Sequence, residues 1–173
     1  NPFEPRIVES DPNKVRAWGF SVAFKNTGLG GGAPDKSGAD VELYEDGTVE
    51  VRTSSAELGQ GLCTVLQMIV AEELELPLEQ VKVLLSDTDK TPDGGPTTAS
   101  RQTYVSGNAG LHAARAFKQA LRTVLSEKFD CSPDDISFSA GKVHVCGKEL
   151  SMPEVYGACK SGNSLPKVTY IYE

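Results

Sequence analysis

Large apolar residues fall at every second position of the stretch 17–26, as Trp18, Phe20, Val22 and Phe24. A period of two predicts a β-strand there. Residues 39–44 and 48–53 carry shorter runs of the same kind around Glu45-Asp46-Gly47. Asp-Gly suits a tight turn that needs positive φ, so these runs predict a hairpin. The period then changes. Leu62, Val65, Leu66, Ile69, Val70 and Leu74 recur at helical spacing, which predicts a helix over 60–74 with Pro77 just beyond its end. Residues 80–85 are a short valine and leucine run, read as a buried strand, and a polar loop occupies 86–98. A second, long helix is predicted from about 100 to 128, with Ala113, Ala114, Phe117, Ala120, Leu121, Val124 and Leu125 on its core face.

Two short strands follow, 136–138 and 142–146, turning at Ala140-Gly141. Ser151-Met152-Pro153-Glu154 is a capping-box signature with proline in the first turn, so a short helix is predicted to run to Cys159. Residues 167–172 alternate and predict a final strand. Residues 1–16, rich in proline and charge, read as a linker or extended segment. The division is then 1–16, an α+β core over 17–130, and a smaller β/α extension over 131–173 that the end of the sequence cuts short. The fold class expected is α+β: a two-layer sandwich with helices packed on one face of a mixed β-sheet and a small β/α C-terminal tail.

Composition narrows the function classes. Across 173 residues, 39% apolar and 24% charged content place the chain with ordinary globular proteins. The formal net charge of -7 is spread along the chain, which argues against a general nucleic-acid surface. No apolar run is long enough to cross a bilayer, so no membrane partner is expected. The opening Asn1-Pro2-Phe3-Glu4-Pro5 is not a signal peptide and reads as a cut inside a longer chain. Cys63, Cys131, Cys146 and Cys159 form no C-x-x-C pair, and His112 and His144 are the two histidines. That pattern excludes a zinc or iron–sulfur framework and reads as buried free thiols in a reducing, cytoplasmic setting.

Two turns carry candidate chemistry. A helix start leaves backbone N–H groups without intrahelical partners and carries partial positive charge, so it suits an anion. The first is Glu57-Leu58-Gly59-Gln60-Gly61, where Gly59 and Gly61 supply conformational freedom and Gln60 offers an amide. Glu57 reads as a partner of the helix dipole. The second is Thr97-Thr98-Ala99-Ser100-Arg101-Gln102-Thr103, which adds hydroxyls, an amide and a guanidinium able to grip phosphate. Gly107, Ala109 and Gly110 keep the following helix thin, open to another backbone or a ligand. The alternative for the second turn is plain capping by Thr98 or Ser100. The 28–32 glycine run has neither a P-loop lysine nor a following helix and reads as a flexible loop. Asp87, Asp89 and Asp93 lack the EF-hand glutamate and read as a solvated turn.

The ordered set Ala39-Asp40-Val41-Glu42-Leu43, Asp46-Gly47-Thr48-Val49, Glu57 to Gly61, Ala71-Glu72-Glu73-Leu74, Asp87-Thr88-Asp89 and Ala99 to Thr103 resembles the molybdenum-cofactor-binding subunit of the xanthine dehydrogenase and aldehyde oxidase family. The resemblance covers roughly half the chain. It implies an oxidoreductase whose molybdenum, held by a molybdopterin with or without a cytosine dinucleotide extension, hydroxylates a heteroaromatic ring or aldehyde with oxygen from water. It implies cofactor-binding roles for Gly59, Gln60, Gly61, Ala99, Ser100, Arg101, Gln102 and Thr103. Gln60 would lie beside the metal's oxo ligand without ligating it, and the Ala99 to Gln102 run would donate to the pterin phosphate region. Partners implied are the remainder of the molybdenum subunit and the subunits or domains that carry 2Fe–2S clusters and FAD. The family's catalytic glutamate, in a Gly-x-Gly-Glu stretch, has no counterpart here, so the 173 residues alone are expected to be inactive. A non-catalytic module for a phosphate or nucleotide ligand, and an assembly domain whose glycines serve packing, are the competing readings.

Overall fold

The computed structural model describes residues 3–162 and 167–173; Asn1 and Pro2 of the N-terminal reading lie outside it. Its main sheet has the order β5–β4–β3–β9, with β3 at Ser37–Leu43, β4 at Val49–Thr53, β5 at Val81–Leu85 and β9 at Lys167–Tyr172. β3 pairs antiparallel with β4 and with β9, while β4 and β5 run parallel, so the sheet is mixed. The parallel step is the crossover made by α1, Leu62–Leu74. The long helix α2, Gln102–Phe129, follows β5.

Register decides the two faces of this sheet. Val41 lies opposite Val51 and Val168, and Val51 lies beside Val83, so these side chains share one face. Ala39, Val41, Val49 and Val51 are fully buried on it, against Leu66 and Val70 of α1 and the α2 row Ala109, Ala113, Phe117, Leu121 and Leu125. That row repeats every fourth residue, which places it on one side of the helix. Burying a side chain such as Phe117 completely contributes about 1.5–3 kcal/mol. The opposite face carries Asp40, Glu42, Glu50 and Arg52, tied together by salt bridges from Arg52 to both glutamates. Helices therefore cover one face only, as expected for an α+β two-layer sandwich.

The thin stretch of α2 is used for helix packing. A Cβ added at Gly107 would meet Ile69 at 3.1 Å, and one at Gly110 would meet Leu66 at 3.4 Å, both on α1. Beyond α2, β6 (Ile136–Ser139), β7 (Lys142–Val145) and β8 (Lys148–Ser151) form an antiparallel meander followed by α3, Met152–Ser161. The capping box at Ser151 and Glu154 is present. β8 was not legible as a strand, because Lys148-Glu149-Leu150-Ser151 has no apolar alternation.

Within the segment read as a linker or extended segment, β1 (Arg6–Val8) and β2 (Asp11–Arg16) pair as a small antiparallel hairpin. One expectation fails just beyond it. The strand expected over 17–26 does not form, and the stretch is exposed throughout. Its alternation defines two faces, but none of residues 17–25 finds a ladder partner among the described residues.

Candidate functional site

β4 ends at Thr53, and beyond Ser54-Ser55 the chain turns through Glu57 to Gly61 into α1. Gly59 and Gly61 stand at φ 98° and 81°, the left-handed region that favours glycine. An added Cβ at either would meet no atom within 4 Å, so backbone conformation rather than crowding requires these glycines. Three of the N–H groups around this helix start are already taken. Glu57 folds back so that one carboxylate oxygen accepts from Gly59 at 2.8 Å and Gly61 at 3.0 Å, and the other from Cys63 at 3.0 Å. The hydrogen bonds from Cys63 and Gly61 hold the Glu57 carboxyl below its ordinary pKa. The first turn is thus an anion site filled by its own glutamate. Gln60 is also anchored: its Oε1 accepts from Leu58 N–H at 2.5 Å and its Nε2 donates to Ala56 carbonyl at 2.8 Å. Each amide atom keeps one further hydrogen-bonding position.

The second turn is built differently. Ala99 and Ser100 both adopt left-handed conformations, at φ 53° and 51°. For residues with a Cβ this costs about 1–2 kcal/mol each. The Arg101 N–H donates to Thr98 carbonyl at 3.2 Å, and the α2 ladder starts with Val105 donating to Arg101 carbonyl at 2.7 Å. No described protein group accepts from the N–H of Ala99, Ser100, Gln102 or Thr103. Neither Thr98 nor Ser100 caps the helix, because α2 has no side-chain cap. The consecutive left-handed residues followed by a helix start leave a cluster of unspent donors.

Arg101 does something other than the phosphate grip expected of it. Its side chain is 1% exposed, and its guanidinium is consumed within the protein. Nε pairs with Asp35, one terminal nitrogen donates to the carbonyls of Gly94 at 3.0 Å and Pro96 at 2.9 Å, and the other donates to Lys36 carbonyl at 2.6 Å. The hydrogen bond from Arg101 holds the Asp35 carboxyl below its ordinary range. Two loop segments, Asp35-Lys36 and Gly94 to Pro96, are thereby fastened to the start of α2. The 28–32 run joins them through other bonds, since Gly28 N–H donates to Ala99 carbonyl at 2.8 Å and Asp35 accepts from Leu29 N–H at 3.2 Å.

Gln102 likewise points inward. Its Oε1 accepts from Ser55 at 2.7 Å and also from Ser106, and its Nε2 donates to Pro96 carbonyl at 3.1 Å. Thr97 Oγ1 accepts from Ala56 N–H at 2.8 Å, which binds the two turns to each other. Together they line one groove of about 420 Å³, formed by Leu58, Gln60 and residues 97–103. Ser100 and Thr103 are exposed on it. The structure brings Gln60 and the second turn together, and it shows that Glu57, Asp35 and Ser55, none of them expected as site-building residues beyond the dipole role of Glu57, hold that arrangement.

The remaining candidates settle as structure. His112 stacks on Tyr170 with ring centres 5.0 Å apart. Asp87 accepts from Asp89 N–H at 3.0 Å in a local turn, and no group of three metal-ligating side chains occurs among the described residues. Of the cysteines, only Cys159 is buried; Cys63 and Cys146 are exposed and Cys131 is half-buried, contrary to expectation. Cys63 is exposed because it lies on the side of the first turn of α1 turned away from the Leu62 and Leu66 row that meets the sheet. No helix among the described residues is long and apolar enough to cross a membrane.

The profile of the molybdopterin cofactor-binding domain matches residues 3–173. The chain belongs to that family. It is 35% identical over 161 residues to the gamma subunit of the 6-hydroxypseudooxynicotine dehydrogenase complex of Paenarthrobacter nicotinovorans, covering 90% of this chain and 19% of that protein. It is 37% identical over 127 residues to xanthine dehydrogenase 1 of Arabidopsis thaliana, covering 73% of this chain and 9% of that protein. Quinoline 2-oxidoreductase from Pseudomonas putida 86 superposes with a TM-score of 0.69 at 28% identity, over 80% of this chain and 19% of that one. The carbon monoxide dehydrogenase of Oligotropha carboxidovorans does so with a TM-score of 0.66 at 26% identity, over 78% of this chain and 18% of that one. The chain thus spans a fifth or less of the length of these relatives. It carries the molybdopterin cofactor-binding domain of xanthine dehydrogenase-like molybdenum hydroxylases, and the relatives known for this domain are molybdopterin-dependent oxidoreductases.

Proposed function

We propose that the second turn is the wall of this domain that holds the phosphate end of a molybdopterin, within an enzyme that hydroxylates a heteroaromatic ring or aldehyde. The observation that carries this is the set of unspent N–H groups at Ala99, Ser100, Gln102 and Thr103 beside one groove. Such preorganised backbone donors match an anion without the reorganisation a flexible lysine would need. The residues present therefore fit the group. Its chemistry when bound is two-electron oxidation at an electron-poor carbon with oxygen drawn from water.

This chain's residues bind and orient. Gln60, steadied by Ala56 and Leu58, lines the groove and would offer its remaining amide hydrogen and lone pair beside the metal's oxo ligand. Gly59 and Gly61 shape that turn, while Arg101 and Gln102 set the second turn from behind with their side chains. Thr103 adds an exposed hydroxyl at the groove. A pterin with or without a cytosine dinucleotide extension, 2Fe–2S and FAD on other domains or subunits, the remainder of the molybdenum subunit as partner, and a cytoplasmic site all belong to the same reading. The segmentation into 1–16, 17–130 and 131–173 is likewise part of it. No Gly-x-Gly-Glu stretch occurs in the 173 residues, so the general base is expected elsewhere in the enzyme.

The test is metal and pterin analysis of purified protein. The 173-residue chain alone should retain neither at stoichiometric level. In the assembled enzyme, Gln60→Ala should lower turnover by about ten-fold or more while the pterin stays bound, in line with losing one positioned donor. Stoichiometric molybdenum in the chain alone, or full turnover in the variant, would count against the assignment.

A further inference from the structure

Residues 17–25 form the least satisfied stretch of the molecule. Trp18, Phe20, Val22 and Phe24 are 74%, 93%, 82% and 100% exposed. A folded protein seldom leaves four alternate large apolar positions of one stretch in water, and an exposed apolar cluster of this kind marks a docking surface. Their neighbours Ala17, Gly19, Ser21 and Ala23 are all small, so the opposite face could lie close against another layer. Lys25 is the one charged residue in the stretch. No backbone hydrogen bond joins any of these residues to a described protein group, which leaves a full row of donors and acceptors to be paired.

Ordered structure flanks the stretch on both sides. The β1–β2 hairpin ends at Arg16, immediately before it. At the other end, Gly28 is hydrogen-bonded to Ala99, at the turn assigned to the cofactor. The family profile begins at residue 3, so the stretch lies inside the domain and is not an appendage to it. The chain's own four-stranded sheet does not take it up.

We propose that residues 17–25 are a β-strand awaiting its sheet, and that the remainder of the molybdenum-binding subunit takes it in by strand addition beside the cofactor groove. Strand addition meets both needs at once: main-chain hydrogen bonds satisfy the backbone, and an apolar layer receives every second side chain. The occupant is a sheet edge backed by an apolar layer, in the four-fifths of the subunit that the relative from Paenarthrobacter has beyond the matched region. This inference rests on membership of the family and not on which group fills the groove. Its readout is independent of metal content.

Hydrogen–deuterium exchange on the 173-residue chain and on the subunit assembled around it tests this. Amides 18–25 should exchange within seconds in the chain alone and at least about 100-fold more slowly in the assembled subunit, as a formed ladder requires. The double variant Phe20→Asp, Val22→Asp should leave the unfolding midpoint of the chain unchanged, because both side chains are exposed, and should prevent assembly. Fast exchange in both samples would overturn the proposal, as would assembly by the double variant. Slow exchange in the chain alone, accompanied by a dimer mass, would also overturn it, since a second copy would then be the occupant.

Discussion

Arg101→Ala is expected to destabilise the chain by about 1–3 kcal/mol, the range for leaving the partner of a buried hydrogen-bonding group unsatisfied. The guanidinium is 1% exposed and satisfies Asp35 and the carbonyls of Gly94, Pro96 and Lys36. Without it the buried Gly94 carbonyl loses its partner, whereas Asp35, with a side chain 28% exposed, is reached by water. For a chain of this size the unfolding midpoint should fall by roughly 2–12 °C. Arg101→Lys should recover less than half of the loss, since one ammonium cannot serve a carboxylate and three carbonyls in separate directions. Thermal unfolding of the three proteins measures this. A loss under 1 kcal/mol in the alanine variant would mean that the guanidinium is not the fastening of the second turn.

Ser100→Val is expected to strip the cofactor from the assembled enzyme, lowering molybdenum and pterin content by about ten-fold or more while the fold survives. Ser100 stands at φ 51°, a conformation open to small or polar residues and badly strained for a β-branched one. Relief of that strain would rotate the peptide units on either side and turn their N–H groups out of line. The fold should lose only about 1–3 kcal/mol, because the strain is local and the side chain is exposed. Ser100→Gly is the informative partner: it removes the hydroxyl but keeps the backbone free to hold φ near 51°. Its cofactor content should stay within about two-fold of wild type, since the backbone N–H groups and not the hydroxyl are the donors. If glycine and valine lose cofactor equally, the hydroxyl is the binding group and the backbone assignment is wrong.

These expectations depend on features of unequal legibility in the sequence. The two helices could be read because Leu62 to Leu74 and Ala113 to Leu125 repeat at helical spacing, and the β3–β4 hairpin because Asp46-Gly47 demands its turn. The pairing of β9 with β3 could not, since more than a hundred residues separate them and many strands alternate. Glu57 was legible as a dipole partner, but not as a carboxylate that accepts from Gly59, Gly61 and Cys63 at its helix start. The burial of the Arg101 guanidinium was not legible, for a physical reason. An arginine beside a helix start looks the same in sequence whether it faces solvent or is buried. The carboxylate that decides the matter, Asp35, lies 66 positions away with no signal distinguishing it from the other acidic residues. The 17–26 stretch failed in the opposite sense: its pattern states plainly what kind of partner it needs, but no such partner is in place among the described residues.

The central claim is that the second turn, and not the first, is open to an anion. Amide-resolved NMR of the 173-residue chain during titration with a phosphate monoester tests it directly. The signals of Ala99, Ser100, Gln102 and Thr103 should shift together and saturate with Kd on the order of 1 mM, as expected of half a site. Those of Gly59, Gly61 and Cys63 should stay still, because the Glu57 carboxylate occupies them. In Glu57→Ala the first turn should begin to respond as well. Shifts confined to Gly59, Gly61 and Cys63 in the unmodified chain, or no saturable response at Ala99 to Thr103, would contradict the account.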